Sequence, residues 1–138
     1  MTSYIDPDRE QFEVFKSLPR DEPINMLNLI RLHATAEYPD GETCTGEEAY
    51  RRYGESSGPV FTRVGGTIVW RGEPQAVLIG PPDEQWDLAF IARYPNASAF
   101  LEMVTDTEYQ AAVIHRQVAV ATSRLIRMAD APSGPKFG

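Results

Sequence analysis

Two asparagines, Asn25 and Asn28, interrupt an otherwise apolar run from Pro23 to Leu32. A buried amide is costly unless its donors and acceptor are paired. Three positions apart on a strand of period two, they project from opposite faces, and Asn28 shares its face with Met26 and Ile30. Asn28 is therefore a candidate hydrogen-bonder to a ligand, with a satisfied core amide as the equal alternative. Trp70 and Arg71 place an aromatic and a permanent cation at a strand end, which suits a carboxylate or enolate through bidentate hydrogen bonds. Arg93 can do the same from the neighbouring strand, although an ion pair with one of the chain's 20 acidic residues is the simpler expectation for it. Tyr50 and Tyr53 can direct a hydroxyl into a cavity, or simply pack their rings.

Histidine is the side-chain type that titrates near neutrality, so His33 and His115 are the weak candidates for a catalytic base. His33 ends the first strand beside a polar loop, and His115 sits next to Arg116 on a helix whose surface is its plain reading. His33 with Glu37 and Asp40 does not make the tight grouping a metal needs, so neither metal nor another cofactor is expected. Cys44 lacks an adjacent base other than His33 and reads as a free loop thiol. No P-loop, dinucleotide-binding glycine pattern, nucleophile elbow or paired-cysteine zinc pattern occurs.

These residues need elements to position them. Asp6-Pro7 starts a short amphipathic helix over 6–18, stopped by Pro19. Residues 23–32 form a central strand buried on both sides. The polar stretch 34–46, with Pro39-Asp40-Gly41 as a turn signal, reads as a surface loop. Thr45-Gly-Glu-Glu48 is a capping box that opens a helix ending at Gly65-Gly66, with a kink or break expected at Pro59. Thr67–Arg71 and Ala76–Ile79 read as two short strands joined by a turn, and 86–94 as a further strand. Asn96 caps a helical pair over about 97–120, restarted by a second capping box, Thr105-Asp-Thr-Glu108. Leu125–Met128 makes a closing strand.

After the first helix, the order strand, helix, strand, strand, helix, strand is the α+β, ferredoxin-like split βαβ pattern with an antiparallel sheet. Residues 1–130 form one such domain, in which 1–22 is an N-terminal helical extension, and 131–138 is a flexible tail rich in proline, glycine and serine. Helices cover only one face of such a sheet, so the apolar residues of the other call for a second copy. The 138 residues carry a net charge of −7. That balance argues against nucleic acid or a membrane surface as partner, and the aromatic and basic strand motif of RNA-binding domains is missing. A single cysteine and the absence of a signal-like start point to a reducing cytoplasm.

The carboxyl half, Ile91-Ala-Arg-Tyr-Pro95 followed by Ala97, Ala99, Phe100, Thr107-Glu-Tyr-Gln110, His115 and Arg116, resembles the DUF1330 family. The same layout places Tyr50 and Tyr53 in the first family helix, Gly65-Gly66 at its end and Trp70-Arg71-Gly72 in the second strand, so the likeness spans roughly residues 24–129. Ile79-Gly80 replaces an expected acidic residue before glycine, and Leu101 stands where an aromatic is common. The resemblance implies a dimeric α/β barrel, two sheets facing one another around a cavity, and no assigned reaction. Combined with the residues read above, the expectation is a homodimer whose cavity binds a small organic acid or aromatic through Asn28, Tyr53, Trp70, Arg71 and Arg93. The likeness in fold to dimeric α/β barrel monooxygenases and isomerases allows cofactor-independent chemistry of either type, by analogy of fold alone; the rival is a non-catalytic ligand-binding or structural dimer.

Overall fold

The computed structural model describes residues 2–137. Strand β1 (Ile24–Leu32) lies between β5 (Leu88–Tyr94) and β6 (Val120–Met128), antiparallel to both, and β4 (Thr67–Gly72) closes the far edge in the order β4-β5-β1-β6. Helices α2 (Gly46–Arg63), α3 (Ala97–Thr105) and α4 (Thr107–Ala119) pack on one face, giving the ferredoxin-like α+β architecture. Alternation divides the strands cleanly. Met26, paired with Ala92 and Arg127, and Asn28, paired with Phe90 and Leu125, look toward the helices, while Leu27 and Ile91 look away from them.

Two apolar clusters join the layers. At one end Ile24, Met26, Ala92 and Tyr94 meet Val60, Phe100 and Met103; at the other Ile30 and Val120 meet Ala49 and Ala119. The second cluster also takes Ala36 and Tyr38. They belong to a small hairpin, β2 (Thr35–Glu37) with β3 (Thr43–Thr45), in the stretch expected to be a loop. Gly41, at φ +90°, makes its turn, and the inward Ala36 and Tyr38 give a mainly polar segment enough apolar surface to dock.

Other boundaries also differ from the sequence reading. The cap of α1 (Arg9–Ser17) is Asp8, whose side chain accepts from the Gln11 N–H at 2.8 Å, not Asp6. Helix α2 runs unbroken through Pro59, an exposed position at which the carbonyl of Glu55, likewise exposed, is left to solvent. The cap of α4 is Asp106, which accepts from the N–H groups of Glu108 and Tyr109, whereas the Thr105 hydroxyl donates back to Leu101. Strand β6 starts at Val120, well before Leu125, because it pairs along most of β1. Ala76–Ile79 forms no strand, and residues 129–137 are exposed and outside any helix or strand. Among the described residues no helix is long and apolar enough to cross a membrane.

Candidate functional site

A cavity of about 1410 Å³ lies between the helices and the helix-facing side of the sheet, within one chain. This cavity belongs to a single chain, whereas the sequence reading puts one between the facing sheets of two copies. Its polar lining includes Asn28, Tyr50, Tyr53, Arg71, Tyr109 and Arg116, with the carboxylates Asp6 and Glu55 elsewhere on it.

Helix α2 presents Tyr50 and Tyr53 one turn apart, their rings 5.5 Å between centroids. Helix α4 crosses beside α2 and brings Tyr109, whose hydroxyl shares a 2.7 Å hydrogen bond with that of Tyr53. Burial pushes the Tyr53 phenol well above its ordinary pKa, and the Tyr109 hydroxyl beside it pushes in the same direction. Burial likewise pushes Tyr50 up to about 12, against the pull of the Arg116 and Arg71 guanidiniums. At neutral pH these phenols are therefore protonated donors rather than bases.

Arg71 reaches this wall through an irregularity. Ile68 pairs with Ala92 but Trp70 pairs with Ile91, so Val69 is an extra residue that shifts the alternation of β4 by one. Arg71, opposite Phe90, turns to the helix side, and Trp70 turns to the opposite face. Arg71 makes no hydrogen bond or ion pair among the described residues, and its exposed position puts it at the cavity mouth. Arg116 donates to the Ile5 carbonyl and to the Ser123 hydroxyl; Arg127, farther along β6, donates to the carbonyls of Phe15 and Pro19. None of the three pairs with a carboxylate among the described residues, although the chain is acidic overall. Asn28 spends one N–H on the Met26 carbonyl at 3.0 Å and leaves its amide oxygen unengaged among the described residues. The wall thus offers guanidinium and phenol donors against an apolar floor, the arrangement that receives an anionic or enolic oxygen.

Of the residues singled out in the sequence, Asn28, Tyr50, Tyr53 and Arg71 come together. Trp70 and Arg93 do not. Trp70 is turned away by the Val69 bulge, and Arg93, opposite Asn25 on the outer face, pairs with Asp130 at 2.6 Å and donates to Asn25. Neither histidine is on the cavity wall. His33 lies in a separate open groove of about 390 Å³ near Arg31 and Thr122, and Gly46 sits so close that a Cβ there would stand 2.0 Å from the His33 carbonyl oxygen. His115 holds the hairpin to α4 through a 2.6 Å hydrogen bond between its Nδ1 and the Tyr38 hydroxyl. Cys44 is half-buried on β3, and no group of three metal-ligating side chains occurs among the described residues. The sequence reading did not select Tyr109, Arg116 or Arg127 as site residues. Tyr109 meets Tyr53, Arg116 meets Ile5 and Arg127 meets Phe15 across 56, 111 and 112 residues, contacts that no local pattern signals.

The family described as a domain of unknown function, DUF1330, matches residues 41–129. The chain belongs to the DUF1330 family. In this DUF1330 protein the matched stretch carries α2 to α4 and β4 to β6, hence most of the cavity wall, while α1 and β1 precede it. Two crystal structures of the RPA0582 protein are similar over nearly the whole chain. One, of the methylated protein, is 52% identical, covers 98% of this chain and 100% of its own, with a TM-score of 0.93. The other, described as a protein of unknown function from Rhodopseudomonas palustris, is 52% identical with coverage of 96% and 100% and a TM-score of 0.91. SnoaB from Streptomyces nogalater, a cofactor-independent oxygenase, shares the fold at 14% identity, with a TM-score of 0.53 over 83% of this chain and 99% of its own. A search of curated proteins finds no match.

Proposed function

We propose that this DUF1330 protein is a homodimer in which each chain binds a small organic acid or aromatic in the cavity between its helices and sheet. The carrying observation is the convergence of Arg71, Arg116 and protonated Tyr50 and Tyr53 on one wall, with no carboxylate paired to either arginine among the described residues. An acidic oxygen would accept from Arg71 at the mouth, Asn28 and the phenols would fix its orientation, and the apolar end would take the body of the ligand. The exposed Trp70 and Ile126 on the uncovered sheet face support self-association through that face. A reducing, cytoplasmic setting fits the single cysteine.

In its catalytic form this reading is cofactor-independent chemistry of monooxygenase or isomerase type, which the fold accommodates in SnoaB; fold alone does not carry a reaction. The rival, a non-catalytic binding domain, draws support from a wall that holds no histidine and whose tyrosines Tyr50 and Tyr53 stay protonated. Calorimetric titration with aryl and alkyl carboxylates, phenols and quinones tests the binding reading. One chemical class should bind, and Arg71→Ala should weaken it roughly 10- to 100-fold, the value of a charge-assisted hydrogen bond, while leaving the melting temperature in place. Unchanged affinity in that variant would remove Arg71 from the site, and no binding by any class would favour a purely structural domain.

A further inference from the structure

The connection between β4 and β5 contains Ala76-Val-Leu-Ile79, a sequence with strong strand propensity that finds no strand partner among the described residues. Its two largest side chains are almost wholly in water: Leu78 is 94% exposed and Ile79 91%. Large apolar groups held out side by side in this way are uncommon on a monomer surface and mark contact with another molecule.

The root of this loop is firmly placed. Arg31 donates to the Asp83 carbonyl at 3.2 Å, Arg124 pairs with Glu84 at 2.9 Å and lies over the Trp86 ring, and the Asp87 carboxylate accepts from the Leu32 N–H at 2.7 Å. By register Arg31 and Arg124 belong to the sheet face that looks away from the helices. The loop is therefore anchored on the side of the uncovered face, where Leu27, Leu29, Ile91, Trp70 and Ile126 form an apolar platform. One side of a single chain carries both an apolar protrusion and an apolar platform. A two-fold operation presents each to the other's counterpart, which satisfies both in an isologous contact. A net charge of −7 disfavours an anionic membrane as the alternative occupant.

We infer that residues 73–82 are a dimerisation arm that packs Leu78 and Ile79 onto the outer sheet face of a second copy. This rests on the homodimer reading and adds to it which segment crosses between the copies. Sedimentation equilibrium of the full chain and of a Leu78→Asp/Ile79→Asp variant tests it. Both positions are solvated in the single chain, so the variant should keep the wild-type circular dichroism while its dimer dissociation constant rises at least ~100-fold. As an independent measurement, Leu78→Cys in a Cys44→Ser background should react with a thiol reagent more slowly as protein concentration rises through the dimer transition. A wild-type dimer matched by an equally tight variant dimer, with concentration-independent reactivity at position 78, would overturn the arm and leave the sheet-face dimer standing. A monomeric wild type would overturn both.

Discussion

The two faces of the same four-stranded sheet are built from alternate residues of the same strands, yet they do different things. The helix-facing side carries Ile24, Ile30, Ala92 and Tyr94, all under 5% exposed, and then opens into a cavity at Asn28 and Arg71. The outer side carries Trp70 at 53% and Ile126 at 47% exposure, and two of its arginines, Arg93 and Arg124, are already paired with Asp130 and Glu84. Arg71 and Arg116, on the cavity wall, pair with no carboxylate among the described residues and can meet a ligand; Arg93 and Arg124 are neutralised on a surface that can meet another protein. The lesson is that a polar group's availability depends on what sits across the strand from it, and not on its residue type.

The largest expected effect that separates the faces is on stability. Phe100→Ala removes a ring packed 5.0 Å from Phe15 and 5.3 Å from Tyr94 in the inner core, and should lower the unfolding free energy by about 3–5 kcal/mol in urea denaturation. A loss under about 1 kcal/mol would mean that the interlayer collapses readily and that the cavity is not held open by its walls. Next comes the alkaline limb. Tyr50 has its folded pKa raised from about 10 to about 12, so its contribution is fully present below pH 10 and is lost as pH rises through 12. Stability followed by thermal unfolding should fall across that window, with Tyr50 contributing an amount of order 2 kcal/mol beside the likewise raised Tyr53 and Tyr94, and Tyr50→Phe should make the decline shallower. A Tyr50→Phe profile as steep as the wild type would place the lost protons elsewhere. The smallest effect belongs to the outer face. Arg93→Ala breaks an exposed ion pair and should leave both the denaturation midpoint and ligand affinity unchanged within error. A clear loss of affinity would bring Arg93 back to the binding site and erase the contrast between the faces.

Much of the scaffold is legible in the residues. The apolar run ending at Leu32, the Thr45 capping box and Asn96 each mark an element that occurs, because each signal is local: Thr45 accepts from the Glu48 N–H at 3.0 Å and Asn96 from the Ala99 N–H at 2.8 Å. The errors of boundary are also local in kind. At Asp6 against Asp8, and at Thr105 against Asp106, two cap-forming residues one or two positions apart compete, and geometry picks one. The hairpin at 35–45 escaped notice because only Ala36 and Tyr38 turn inward, too few to raise an apolar period above the polar background. In the candidate site, Asn28, Tyr53 and Arg71 were recognisable by type, while Tyr109 and Arg116 were not. Their partners Tyr53 and Ile5 lie 56 and 111 residues away, and no local spacing encodes such a meeting.

By itself, then, the sequence determined the class of fold and the order of its elements, since periodicity, caps and turns act over a few residues. It also determined which residue types were at hand for an anion: several arginines and tyrosines in an acidic chain. Only the tertiary structure decided which of them share a space. A single extra residue at Val69 reverses the alternation of β4, sends Trp70 outward and brings Arg71 to the cavity. The crossing of α4 beside α2 then sets Tyr109 against Tyr53. Both outcomes depend on contacts between segments distant in the chain, where packing of whole elements, rather than local preference, fixes direction.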